Sequence, residues 1–189
     1  MAAIATCADR PPGYDWEADS TPVSTDASKK ADPACLPDRK MIGGGVAIRS
    51  LADQKRVGLT TARVDALGAL LRTRARSAPV GAAAPWGLTA TVICAAEDIE
   101  GYEIRDAISS DDPLEWSRSI QSAGVGCSDG KYALTGGAAL SSDAGGRATL
   151  GGIFTSDSYA NVTGHESYAT TQRWGFVLAR MVCANADLE

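Results

Sequence analysis

The chain has 189 residues, 44% of them hydrophobic and only 6% aromatic, and a formal net charge of -5 at neutral pH. That length fits one large domain or two small lobes, with a core made of small side chains and closely approaching backbones. The acidic balance argues against a nucleic-acid or anionic-membrane partner, since both require a basic face, and no apolar run is long enough to span a bilayer.

In chain order, Ala3-Ile-Ala-Thr-Cys7-Ala8 reads as a strand that closes a repeat, because Val92-Ile-Cys94-Ala95 and Met181-Val-Cys183-Ala184 end in the same Cys-Ala. It is too short for the apolar region of a signal peptide. With its cysteine pattern, the chain reads as secreted or extracytoplasmic with its signal peptide removed, and Leu188-Glu189 as a vector-derived end. Gly13-Tyr14-Asp15 comes next and recurs as Gly101-Tyr102-Glu103. Residues 16–34 are rich in Ser, Thr, Asp, Pro and Lys and read as a polar surface loop.

The stretch Cys35-Leu-Pro-Asp-Arg-Lys-Met-Ile-Gly-Gly-Gly-Val-Ala-Ile48 is restated as Cys127-Ser-Asp-Gly-Lys-Tyr-Ala-Leu-Thr-Gly-Gly-Ala-Ala-Leu140. Aligned without a gap, Cys35 falls on Cys127, and Gly44 and Gly45 fall on Gly136 and Gly137. Both copies read as strands interrupted by glycine, which marks a bulge or a backbone in close contact. A phosphate-binding loop is rejected, because no G-K-[ST] follows and the next residues alternate as in a strand.

Residues 56–64 form a strand candidate. Residues 64–75 are ambiguous: Val64, Leu67 and Leu71 have helical spacing, but the corresponding region of the second copy, 150–163, carries Gly, Thr, Tyr and Ser. Strand is expected in both copies, with a short helix at 64–71 as the alternative. Arg63, Arg72, Arg74 and Arg76 are the one basic cluster, and alternation puts the last three on one solvated strand face. Residues 86–95 give the clearest strand, with Leu88, Ala90, Val92 and Cys94 on one face and Thr89, Thr91 and Ile93 on the other. Both faces of this strand and of its twin, 174–184, are fairly apolar, as in central strands between packed layers. The expected architecture is all-β: two tandem pseudo-repeated antiparallel lobes of sandwich or β-prism type, stapled by disulfides. The internal period of about 90 residues divides the chain into 1–95 and 96–189.

No C-x-x-C pair is present and His165 has no cysteine nearby, so neither zinc nor another cofactor is expected. A disulfide framework formed in an oxidising compartment is the better reading. Two schemes respect the repeat. One joins Cys35 to Cys94 and Cys127 to Cys183, leaving Cys7 over; the other joins Cys7 to Cys35 and Cys94 to Cys127, leaving Cys183. The first is preferred because it closes each repeat, at about 3–4 kcal/mol per bridge. A leftover cysteine implies contact with another chain or segment.

The cysteine opening, the Gly-Gly strand, the tryptophan and the closing Cys-Ala together resemble exported, often tandemly repeated proteins of actinobacterial type that have no assigned activity and open with Cys-Pro-x-Gly-Lys. Cys127-Ser-Asp-Gly130-Lys131 and Gly101-Tyr102-Glu103 match that pattern, whereas Cys35-Leu-Pro-Asp-Arg-Lys40 has one inserted residue and no glycine. A looser likeness is to the β-prism of the vitelline-membrane outer-layer protein. Both likenesses imply a scaffold and carry over no catalytic residue.

A small secreted hydrolase would use His165 as base or a carboxylate pair such as Asp111-Asp112 or Glu97-Asp98. His165 lies in a polar, loop-like stretch, and no nucleophile elbow is present. Asp143 and Asp157 lack the spacing of a calcium loop, and Asn161-Val-Thr163 is a glycosylation sequon. Trp16, Trp116, Tyr159 and Tyr168 lie in loop-like stretches without repeat counterparts, so they are the candidate contacts for a partner protein or a surface glycan. The repeat-matched Tyr14 and Tyr102 are expected to pack under their own loops. An exported, non-catalytic binding protein is the first expectation. A small hydrolase and a structural piece of a secreted or envelope assembly are the alternatives.

Overall fold

Period-two alternation of apolar and polar side chains runs through most of the chain, and strands and turns account for all that the structure, a computed structural model, describes: residues 11–50, 57–77, 84–109, 120–140, 148–155, 159–166 and 177–185. The strands are β1 (Asp15–Ser20), β2 (Ser28–Ala31), β3 (Arg39–Ser50), β4 (Val57–Val64), β5 (Leu71–Ser77), β6 (Trp86–Ala96), β7 (Glu103–Ile108), β8 (Ile120–Gly126), β9 (Lys131–Leu140), β10 (Ala148–Thr155), β11 (Tyr159–Glu166) and β12 (Val177–Asn185). They form sheets ordered β1-β6-β3, β10-β11-β8 and β2-β5-β4-β9-β12-β7, with antiparallel pairing throughout.

The six-stranded sheet is a fusion. Its two triplets meet where β4 pairs with β9, at Thr61↔Ala139 and Ala62↔Ala138. Divided there, each half has one order of strands: β1-β6-β3 with β2-β5-β4, then β7-β12-β9 with β8-β11-β10. The irregularities repeat as well. Ile42 is the extra residue of β3 opposite Ile93 and Cys94, and Leu134 that of β9 opposite Val182 and Cys183. A second shift falls between Leu59 and Thr61 in β4 and between Leu150 and Gly152 in β10. Such an extra residue bends a strand and sharpens its twist.

One core lies between the triplets of the first half. Trp86, Leu88, Ala90, Val92 and Cys94 of β6 are buried against Ala31, Met41, Val64, Leu71 and Ala75. The other gathers Val177, Ala179, Met181 and Cys183 of β12 with Ala123, Val125 and Ala138. β12 is covered on both faces, since Val182 belongs to the first core while its neighbours belong to the second. β6, expected to be covered likewise, has Thr89, Thr91 and Ile93 only partly buried. Cys35–Cys94 and Cys127–Cys183 are bonded, at sequence separations of 59 and 56. Loops of that length give about 4 kcal/mol each in the chain-entropy treatment. These are the pairings that close each half; Cys7 lies outside the described residues.

Several sequence expectations are refined here. Residues 16–34 are not a loop, because they contain most of β1 and all of β2. Their polarity has a local cause: β1 and β2 are edge strands of their sheets, and Lys29 hides its stem in the protein. Its Nζ reaches Pro22 O at 3.1 Å and sits 5.2 Å from the centre of the Trp86 ring, so a charged residue takes an inward position by extending its amine to a carbonyl. At 64–75 the expected strand is present at 71–75, within β5, and the alternative helix is absent, but 65–70 reverse the chain instead of continuing a strand. Asp65 Oδ1 accepts the backbone N–H groups of Ala69 and Leu70 at 3.0 and 3.2 Å, closing a turn between β4 and β5, and Gly68 there has φ 75°. Finally, Tyr102 does not pack under its own loop. Its hydroxyl donates to Met41 O in the first half at 3.0 Å, and burial, then Asp65, push the phenol's pKa up, so it remains a donor.

The repeated motifs clasp one another. Gly13 and Gly101 have φ 65° and 66°, and a Cβ on Gly101 would stand 2.1 Å from Asn185 Oδ1. Just after it, Glu103 accepts from Ser128 N at 2.9 Å, Ser128 Oγ at 3.0 Å and Lys131 Nζ at 2.9 Å. Asp15 and Arg39 make the corresponding pair in the first half, at 3.4 Å. The Ser128 amide and then Lys131 lower the Glu103 pKa to about 2, from an ordinary 4.5. An unfolded chain takes up that proton first as pH falls, so the stabilisation is complete above pH 4.5 and is lost toward pH 2. Acid unfolding followed by circular dichroism should show Glu103→Gln less stable than wild type at neutral pH, with the difference shrinking below pH 4.5. At the fusion point, a Cβ on Gly137 would lie 2.3 Å from Ala62 O. Gly137→Ala should therefore lower stability by about 1–3 kcal/mol in urea denaturation.

Candidate functional site

The turn after β4 folds β5 back beside it, and the register places Arg63 opposite Arg72 and Thr61 opposite Arg74. Cross-strand neighbours project to one side, so the inner positions Leu71, Thr73, Ala75 and Ser77 are buried while Arg72, Arg74 and Arg76 share the outer face. The expected common face is present, but it is not simply solvated. It meets the second half at β9 and β12, where Thr61, Arg63, Arg72 and Arg74 line a cleft of about 370 Å³ together with Ala139, Leu140 and Leu178.

The cations around this cleft fall into two groups. Arg74 is held by Asp32, Nη1 to Oδ1 at 2.5 Å, and also donates to Thr73 O at 2.7 Å. Burial pushes the Asp32 pKa up, but Arg74, the Thr73 amide and Lys30 outweigh it, so the carboxyl stays below its ordinary value. Arg180 forms a two-pronged pair with Asp106 and donates through Nη1 to Val64 O at 3.1 Å. Arg63 and Arg72 have no such partner among the described residues, and Arg63 Nε is buried without a hydrogen bond.

Arg63 is electrostatically unfavourable where it stands. Burial lowers its pKa first and Arg180 adds to that; Asp106 opposes, Arg72 lowers it further and Asp65 opposes again. A guanidinium keeps its proton regardless, so the strain is stored as repulsion. An anion placed between Arg63 and Arg72 would accept the idle N–H groups in the forked geometry that suits carboxylate, sulfate or phosphate. Ala139, Leu140 and Leu178 supply an apolar wall alongside.

The residues singled out from the sequence do not converge. Trp16 lies on edge strand β1, not in a loop, and is 59% exposed. Tyr159 opens β11 and His165 lies within it, paired with Thr149 and Ile120, so both are strand residues. Trp116, Tyr168, Asp111, Asp112, Asp143 and Asp157 lie outside the described residues. Glu97 is engaged by Lys40 at 3.3 Å. Among the described residues, no group of three or more His, Cys, Asp or Glu side chains could hold a metal ion, and no helix is long and apolar enough to cross a membrane.

The arginine cleft was half visible in the sequence. The spacing of Arg72, Arg74 and Arg76 showed a shared face, but only the turn at 65–70 sets Arg63 beside Arg72, and only the β4–β9 join adds the apolar wall. No protein-family model matches the chain, and no curated protein matches it.

If Arg63 and Arg72 repel each other in the free protein, Arg72→Glu should stabilise it by about 0.2–1 kcal/mol at low ionic strength. The gain should shrink as salt is added, and urea denaturation at several salt concentrations measures both effects.

Proposed function

We propose that the chain is a disulfide-stapled binding protein of the extracytoplasmic space, holding an acidic unit of a surface glycan in its arginine cleft. The observation that carries this reading is the buried, unpartnered Nε of Arg63 beside Arg72 in a concave site. The cleft's volume falls at the lower end for small-molecule pockets, which suits one sugar unit better than a folded partner. Arg63 and Arg72 would hold its carboxylate or sulfate, Arg74 would line the same edge, and Leu140 and Leu178 would receive the C–H face of the ring. The two disulfides support a site of action outside the reducing cytosol. The resemblance to exported actinobacterial-type repeat proteins agrees with this and adds no chemistry.

The test is a titration of glucuronate and of sulfate against neutral glucose, read from amide chemical shifts. The acidic ligands should move the amides of 61–63, 72–74 and 139–140, and glucose should not. Arg63→Gln and Arg72→Glu should each weaken binding by about 10–100-fold, as expected for losing a hydrogen bond to a charged group. Shifts scattered over the surface, or equal binding by the variants, would rule the cleft out. Turnover of a glycan or ester that is lost in His165→Ala would favour the hydrolase instead.

A further inference from the structure

The equivalence of the two halves leaves one face uncovered. In the second half, the face of β7-β12-β9 turned away from its own core consists of the rows Ile104–Val182–Thr135, Asp106–Arg180–Gly137 and Ile108–Leu178–Ala139. The first half sits on it. Val182 is buried in the first half's core and Ile104 packs against that core, Arg180 donates to Val64 O, and β4 runs so close that Gly137 has no room for a Cβ. The corresponding face of β1-β6-β3 consists of Trp16–Ile93–Gly43, Ala18–Thr91–Gly45 and Ser20–Thr89–Ala47. Among the described residues nothing covers it: Trp16, the counterpart of the partly buried Ile104, is 59% exposed.

Gly45 is the most telling position. It is the counterpart of Gly137, but a Cβ there would meet nothing within 4 Å, and its φ is not among the positive values. Among the described residues, neither packing nor backbone conformation calls for glycine at 45. Glycine inside a strand weakens it and often marks a site where another backbone comes close. In the second half that backbone is β4. The counterpart of β4 is β10, an end strand whose backbone, among the described strands, pairs with β11 and which also runs near β9 and β4, just as β3, the counterpart of β9, is an end strand paired with β6.

We propose that the outer face of β1-β6-β3 docks a second copy of this chain, head to tail, through the edge of its β10. The β4–β9 register carries over as Gly152 of one copy opposite Ala47 of the next, and Ile153 opposite Val46. Trp16 and Ile93 close over the incoming half as Ile104 and Val182 do within the chain. Such a contact is heterologous, so it grows into open assemblies unless the rotation closes a ring. It lies on a different face from the arginine cleft and stands independently of what that cleft binds.

Sedimentation of the full chain over a wide concentration range tests this. The weight-average mass should rise past that of a dimer, and Gly45→Val should raise the dissociation constant at least tenfold while leaving the melting temperature equal or higher. A wild type that stays monomeric into the millimolar range, or a Gly45→Val that associates equally, overturns the proposal. So does a monomer whose Trp16 fluorescence responds to a soluble oligosaccharide, since the face would then belong to glycan. Should Gly45→Val not fold, cross-linking decides alone. An equimolar mixture of Ala47→Cys and Gly152→Cys chains should give a disulfide-linked pair that neither gives by itself, and failure to form it overturns the register.

Discussion

The close passage of the β4 backbone over Gly137 is the constraint on which the rest of the architecture depends. With no side chain at 137, Ala62 and Arg63 settle against β9 and the two triplets join into one sheet. That join brings the outer face of β12 against the first core, so Val182 and Ile104 exchange water for Val64, Leu71 and their neighbours. β12 thereby gains two buried faces. Polar groups drawn in by the same contact are answered locally: Arg180 by Asp106 and Val64 O, and the Tyr102 hydroxyl by Met41 O. Such pairing offsets the cost of burying the Arg180 guanidinium.

The same join explains why cationic charge collects in one place on an acidic chain. β4 and β5 direct their arginines away from the first core, and the approach of β9 and β12 converts an open face into a cleft. Asp32 and Asp106 neutralise Arg74 and Arg180, while Arg63 Nε is buried without a hydrogen bond and Arg72 has no ion-pair partner among the described residues. Unspent donors in a partly desolvated pocket are characteristic of sites organised for a ligand rather than for stability. The fold tolerates them because its stability is secured elsewhere: each half has its own packed core and a disulfide that closes a loop of more than fifty residues.

Seen in this way, the halves are alike in topology and unlike in what their outer faces carry. The second presents Arg180, Asp106 and Leu178, used within the chain. The first presents Trp16, Ile93, two threonines and glycine, left uncovered by the described residues. One scaffold thus carries a covered outer face in one half and an exposed one in the other, with Gly137 and Gly45 at the same place in each.

The strand at 86–95 and its twin in β12 were legible because their alternation is strong, and the pairing that closes each half was legible because cysteines open and close each copy. β1 and β2 were hidden. An edge strand needs only one paired backbone edge and can be polar on nearly every side chain, and Lys29 disguised an inward position by carrying its amine to a carbonyl. The turn at 65–70 was ambiguous for another reason: Val64, Leu67 and Leu71 are spaced as in a helix, and only the Asp65 carboxylate and the φ of Gly68 show the chain reversing. What the sequence by itself determined is the local pattern, its repetition and its cysteine brackets, because periodicity and covalent spacing belong to neighbouring residues. Which edge strands fuse, which face is left open and which arginines remain unpaired were decided by tertiary structure alone. Those outcomes depend on contacts between residues more than forty positions apart, such as Arg74 with Asp32 and Ala62 with Ala138, and no local pattern encodes them.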